Sequence, residues 1–159
     1  MGKRTVLVVG ASLCALGLAI ACGDDDSTGP AEQFVVQLTG AQEVPPNTST
    51  ATATATITVV DESTINLNVT AQNLTAVRQA HFHAGSPGVN GGVIIGFINN
   101  AAPTGDINGQ LHSSTITRSS TFNAPFTFDS LLTRIRAGTT YANIHTTAFP
   151  GGEIRAQVQ

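Results

Sequence analysis

The chain is almost without lysine: Lys3 is the only one, and charged residues of both signs fill just 11% of its 159 positions. Phosphate backbones are gripped by clustered Lys and Arg, so a nucleic-acid partner is excluded. Schiff-base chemistry is excluded from the body of the chain as well, because it needs a lysine amine. Cysteine is equally scarce. Cys14 and Cys22 are the only two, so nothing beyond Cys22 can form a disulfide staple. Stability must come from burial and backbone hydrogen bonding. The one long hydrophobic run, residues 6–20, is shorter than the roughly 20 residues that span a bilayer as a helix.

That run has the flanks of an export leader. Lys3 and Arg4 precede it, and Leu18-Ala19-Ile20-Ala21-Cys22 closes it. Small residues before a cysteine, followed by Gly23-Asp24-Asp25-Asp26, resemble the lipobox of bacterial lipoproteins, with the leucine one place further from Cys22 than usual. The resemblance implies a signal peptide over residues 1–21, lipidation of Cys22, and a membrane partner engaged through that anchor. The alternative is an ordinary secretory leader cleaved near Ala21. Either way the protein is expected to be exported; as a lipoprotein it belongs to the cell envelope, at the outer membrane or cell surface. Residues 22–33 read as a flexible tether. Removing Lys3 and Arg4 with the leader shifts the formal charge from −3 to −5.

From residue 34 onward the pattern is that of strands. Residues 50–59 alternate Thr with apolar residues at a period of two. Asp61-Glu62-Ser63 is a turn, after which Ile65, Leu67 and Val69 alternate with Asn66, Asn68 and Thr70. Together these predict a hairpin. Further strands are predicted at 34–38, 77–84, 107–117, 139–146 and 153–159. The continuous apolar run 93–98 reads as a central strand buried on both faces. Alternation within 107–117 groups Asn108, Gln110 and His112, and His112 is expected to face solvent. One helix is predicted over 129–137, with Asp129 as N-cap, Leu131, Leu132 and Ile135 on one stripe, and Gly138 just past its end. The predicted fold is all-β: an antiparallel, Greek-key-like β-sandwich or flattened barrel of about eight strands with one short helix. Residues 34–159 suit one domain.

Three of these strands share a feature. In His81-Phe82-His83 both histidines take one face and Phe82 the other. Tyr141, Asn143 and His145 oppose Ala142 and Ile144, and Glu153, Arg155 and Gln157 oppose Ile154, Ala156 and Val158. Neighbouring strands would merge these polar faces into one patch. His81, His83 and His145 are then candidate metal ligands, because imidazole suits copper and zinc. Three protein ligands also leave a fourth position open. Asn143, Glu153 and Arg155 are candidate supporting or ligand-binding residues. Glu153 is a fourth ligand or the acceptor that fixes a histidine tautomer; Arg155 pairs with Glu153 or holds an anionic ligand. The same residues also fit a hydrogen-bonded network that sets strand register with no ion, and both readings stay open. No catalytic residue is identified. Gly85-Ser86-Pro87-Gly88 lacks the spacing of a nucleophile elbow, and no helix follows Gly91-Gly92 to make a phosphate cradle.

Several stretches together resemble the CHRD (chordin-type) domain, in that family's order. They are Leu38-Thr39-Gly40-Ala41-Gln42-Glu43-Val44-Pro45-Pro46, Ala80-His81-Phe82-His83-Ala84-Gly85, Asn90-Gly91, residues 138–146 and Pro150-Gly151-Gly152-Glu153-Ile154-Arg155. Ala156 stands where the family often has Gly. The resemblance covers nearly all of residues 34–158. The family occurs in bacterial secreted proteins and lipoproteins and, as repeats, in the animal morphogen-binding protein chordin. The resemblance implies a fold and an exported address. With the lipobox, the single sandwich and the lack of a nucleophile or cofactor motif, the expectation is a non-enzymatic binding or structural module with an envelope or extracellular protein as partner. The alternative expectation is a copper- or zinc-binding domain built on the His-x-His strand, with redox activity.

Overall fold

The computed structural model describes residues 31–159; the predicted leader, Cys22 and most of the tether lie outside the described residues. Eight strands run β1 (Glu32–Thr39), β2 (Thr52–Asp61), β3 (Thr64–Leu74), β4 (Val77–Ala84), β5 (Val93–Asn99), β6 (Ile107–Thr117), β7 (Thr140–Thr146) and β8 (Ile154–Gln157). A 3-10 turn, Gly40–Gln42, follows β1, and a helix, α1 (Phe128–Arg136), separates β6 from β7. The strands form one sheet in the order β5-β4-β7-β8-β1-β2-β3-β6, and every pairing is antiparallel. The all-β expectation holds in its barrel form.

Period-two patterning explains the curl. The register sets Ala53, Ala55, Ile57 and Val59 of β2 opposite Ala71, Val69, Leu67 and Ile65 of β3. All eight are buried, and the matching faces of the other strands join them in one core. Burying a single face bends the sheet around it until its two edges approach. Phe97 of β5 and His112 of β6 meet there, ring centroids 5.6 Å apart. Side chains close this seam, for β5 and β6 are the ends of the hydrogen-bonded order.

Helix α1 contributes Phe128, Leu131, Leu132 and Ile135 to the core. Arg136 fastens it by pairing with Glu32 at the start of β1 and Glu62 in the β2–β3 turn. Its N-cap is Thr127, not Asp129. The Thr127 side chain accepts from the Ser130 backbone, and Ser130 returns a bond to the cap in a capping box. Asp129 sits in the first turn, where a negative charge suits the helix dipole, and pairs with Arg118. Gly138 follows the end at φ +64, the left-handed conformation that a helix-terminating glycine supplies.

Two other expectations fail for one shared reason, β-bulges. The run 93–98 is not a central strand, since β5 is an edge. Register shifts between Ala80 and His81, and again between Phe82 and His83, each leave an extra residue in β5. Alternation is reset twice, which makes the run look continuously apolar. Ile98 and Ile95 lie opposite Ala80 and Phe82 on the core side, while Gly96 lies opposite His81. The exposed edge is covered by the segment after β6, where Asn123 bonds the carbonyls of Ile94 and Val93. In β6, a shift between Val69 and Thr70 makes Leu111 the extra residue. His112 therefore falls opposite the buried Val69 and turns inward, bonding Ser114 Oγ at 2.8 Å instead of facing solvent.

Candidate functional site

Strands β4, β7 and β8 are consecutive in the sheet, so the three predicted polar faces do merge. Asn143 lies opposite His81 on one side and Arg155 on the other, and Tyr141 lies likewise between His83 and Gln157. The intervening Phe82, Ala142, Ile144, Ile154 and Ala156 all enter the core. The polar residues thus line the outer face of the barrel wall. That face is roofed by three loops: residues 40–51, 85–92 and 147–153. Asn90 Nδ2 donates to Val44 O at 2.8 Å, tying the first two, and Asn47 Nδ2 donates to Glu153 O at 3.0 Å, tying the first and third. Beneath the roof Glu43, His83, Asn143, Glu153 and Arg155 are buried.

The three candidate ligands converge. One nitrogen from each of His81, His83 and His145 lies within 4.8 Å of the other two, and the ring centroids of His81 and His145 are 4.9 Å apart. Backbone carbonyls orient two of the rings. His83 Nδ1 is 3.0 Å from Gly91 O, and His145 Nδ1 is 3.0 Å from Pro150 O. A carbonyl only accepts, so each Nδ1 carries the hydrogen and each Nε2 keeps its lone pair. His83 is further held by stacking on Tyr141, ring planes 8° apart. A Cβ on Gly96 would stand 3.3 Å from His81 Cδ2, so a glycine there gives that ring its room. Burial pushes His81 down to about 4, with His145 and His83 adding to the shift. Burial lowers His83 and His145 too, opposed by their bonds to the Gly91 and Pro150 carbonyls. All three rings are neutral at neutral pH, the state in which imidazole binds metals.

The predicted supporting residues divide. Glu153 does not face the histidines, and it neither fixes their tautomers nor pairs with Arg155. It accepts from Ser49 Oγ at 2.6 Å and Thr146 Oγ1 at 2.5 Å, pinning two of the covering loops. The reason is local: Glu153 stands just before β8 rather than within it, so strand alternation does not govern its side chain. Arg155 stays on the shared face, donating to Asn90 Oδ1 and Val89 O at 2.8 Å each. The carboxylate nearest in effect to Arg155 is Glu43, a residue that sequence periodicity does not single out. Burial pushes Glu43 up to about 7, against the opposing pull of Arg155. A Cβ on Gly152, whose φ is +130, would come 2.7 Å from both Glu43 Oε1 and Asn143 Nδ2. Glycine there lets loop 147–153 close over the pair. Asn90 is the other residue whose part emerges only from three dimensions, and Tyr141, placed on this face by alternation, gains its stacking partners His83 and Arg155 there. The one sequence signal for Glu43 and Asn90 is their place in the stretches that carry the family resemblance.

No curated protein and no solved structure matches the chain. A family model described as the CHRD domain matches residues 34–158, a span that runs from β1 to the residue after β8 and takes in Glu43, all three converging histidines and Arg155. With a match of that extent, the chain belongs to the CHRD domain family.

Proposed function

We propose that this protein is an exported, lipid-anchored binding module of the cell envelope, without catalysis of its own, that takes its ligand at the loop-roofed face of β4, β7 and β8. CHRD membership points to a structural or binding module. One observation favours binding and selects the face. Of seven buried side-chain atoms without a hydrogen-bond partner among the described residues, five gather here: Glu43 Oε1, His81 Nδ1, His83 Nε2, Asn143 Oδ1 and His145 Nε2. Each such atom costs about 1–3 kcal/mol if nothing meets it, and native folds carry few of them. A network serving strand register alone would pair its members. The leader and Cys22 support the address, and the lack of an activated nucleophile in the sequence supports a non-enzymatic role.

Two measurements test this reading. Full-length chain made in a bacterial host with labelled palmitate is expected to carry the label and stay with membranes, and Cys22→Ala to lose both. A freely soluble, unlabelled wild type would overturn the anchored address. Native mass spectrometry of the detergent-extracted chain is expected to show a bound species. A bare mass, with no envelope extract raising its melting temperature, would overturn the binding face.

A further inference from the structure

We infer that the species held by this face is a single copper or zinc ion, ligated by His81 Nδ1, His83 Nε2 and His145 Nε2. The inference rests on the binding-face reading above and deepens it by naming the chemistry of the ligand. Its first support is the orientation of lone pairs. The carbonyls of Gly91 and Pro150 force the hydrogens of His83 and His145 onto Nδ1, so both Nε2 atoms keep a lone pair, and both are shielded from solvent without a hydrogen-bond partner. The third unpartnered atom there, His81 Nδ1, could donate to only one of them. Two acceptors cannot bond each other, and one cation satisfies all three.

The second support is distance. Because one nitrogen of each ring lies within 4.8 Å of one from each of the other two, a common point lies within about 2.8 Å of all three rings' nitrogens, against roughly 2.0–2.1 Å for a zinc–imidazole bond. Small side-chain rotations close that gap. Third, the surroundings match those of a metal centre. Histidine ligands bind through one nitrogen while the other donates to a carbonyl or carboxylate, as His83 and His145 do here. The donor set decides the ion. All-imidazole coordination suits copper and zinc, whereas magnesium and calcium take oxygen. Glu153 is engaged with Ser49 and Thr146, so the chain supplies three ligands and leaves a fourth position to an exchangeable group.

The test uses the full-length chain, purified without a histidine tag and stripped with chelator. Copper(II) and zinc(II) are added in separate samples, and metal is measured per chain after desalting. One ion per chain is expected. His81→Ala, His83→Ala and His145→Ala should each weaken binding by about 100-fold or more, since even supporting partners of metal ligands are worth 10–100-fold. His112→Ala, which lies on the core side, should bind as wild type. An electron paramagnetic resonance spectrum of the copper-loaded wild type guards against variants that fail to fold. Nitrogen couplings from imidazoles are expected, and their absence overturns the assignment whatever the variants do. Copper serves as reporter because nitrogen sites prefer it to zinc. Wild type that takes up no stoichiometric metal but shows a different adduct by native mass spectrometry overturns the metal and leaves the binding face standing. Wild type with neither overturns both.

Discussion

The guanidinium carbon of Arg155 lies 3.5 Å above the ring centroid of Tyr141, and Arg155 is among the largest fully buried side chains of the protein. Its two terminal nitrogens then reach Asn90 Oδ1 and Val89 O, so one cation fastens loop 85–92 to the sheet. A planar fork does this and a point charge does not. Arg155→Lys is expected to destabilise the fold by about 2–3 kcal/mol, because buried acceptors lose charged donors. Urea unfolding checks the figure. An unchanged midpoint would show that the arginine is ornamental to the fold.

The start of α1 separates two neighbouring residues by role. Thr127→Ala removes the cap and should cost about 1 kcal/mol. Asp129→Ala removes an exposed partner of Arg118 and one first-turn negative charge, and its effect should be smaller. Unfolding midpoints of the two variants measured side by side decide the matter. The reverse order would place the cap at Asp129, where the sequence pattern puts it.

Period-two patterning made the barrel legible. The strands at 77–84 and 107–117 fall where alternation places them, and the polar faces of β4, β7 and β8 meet because β4 from Gln79 onward, β7 and β8 pair without a break in parity. Alternation fails where the backbone breaks parity. The two bulges of β5 disguise an edge strand as a central one, and the bulge at Leu111 turns His112 inward. Bulges leave no mark on residue type that a period can detect. The helix is capped two residues before the predicted Asp129 because Thr127 is also a good cap, and the reciprocal bond with Ser130 chooses it.

The site was half legible for a related reason. Residues on strands were placed by periodicity, so His81, His83, His145, Asn143 and Arg155 come together as expected. Residues on loops were not. Glu43 reaches the site from a loop more than a hundred positions away in sequence from Arg155, and Glu153, one residue outside its strand, escapes the face assigned to it.

Gly91 tests whether loop geometry sets the state of His83. A Cβ at Gly91 would overlap the carbonyl oxygen of Ala84, so Gly91→Ala must displace the loop and with it the carbonyl that receives His83 Nδ1. A loss of about 1–3 kcal/mol is expected from the overpacking. Long-range nitrogen–proton spectra of the imidazoles should show His83 protonated on Nδ1 in the wild type. In Gly91→Ala that preference should weaken, while His145, held by Pro150, should keep its own. A His83 tautomer indifferent to the substitution would mean that something other than the loop fixes it.

Glu43 gives the fold a pH dependence of definite sign. Its carboxyl is raised in the folded chain from 4.5 to about 7, chiefly by burial, so the folded state holds this proton to higher pH than the unfolded state does. The resulting stabilisation is complete below pH 4.5 and disappears as pH rises to about 7. Glu43→Gln keeps the shape and the neutrality but cannot ionise. The variant should match the wild type near pH 4, gain on it steadily through the window, and hold a constant advantage above about pH 7. Urea midpoints of both proteins at half-unit steps supply the measurement. Their difference matters more than either curve, because His81, lowered to about 4, pulls the other way and costs stability as pH falls. Subtracting the variant removes that shared trend and leaves the carboxyl alone. Two parallel curves would mean that Glu43 titrates as a solvated carboxylate, and that the roof formed by loops 40–51 and 147–153 stands open in solution.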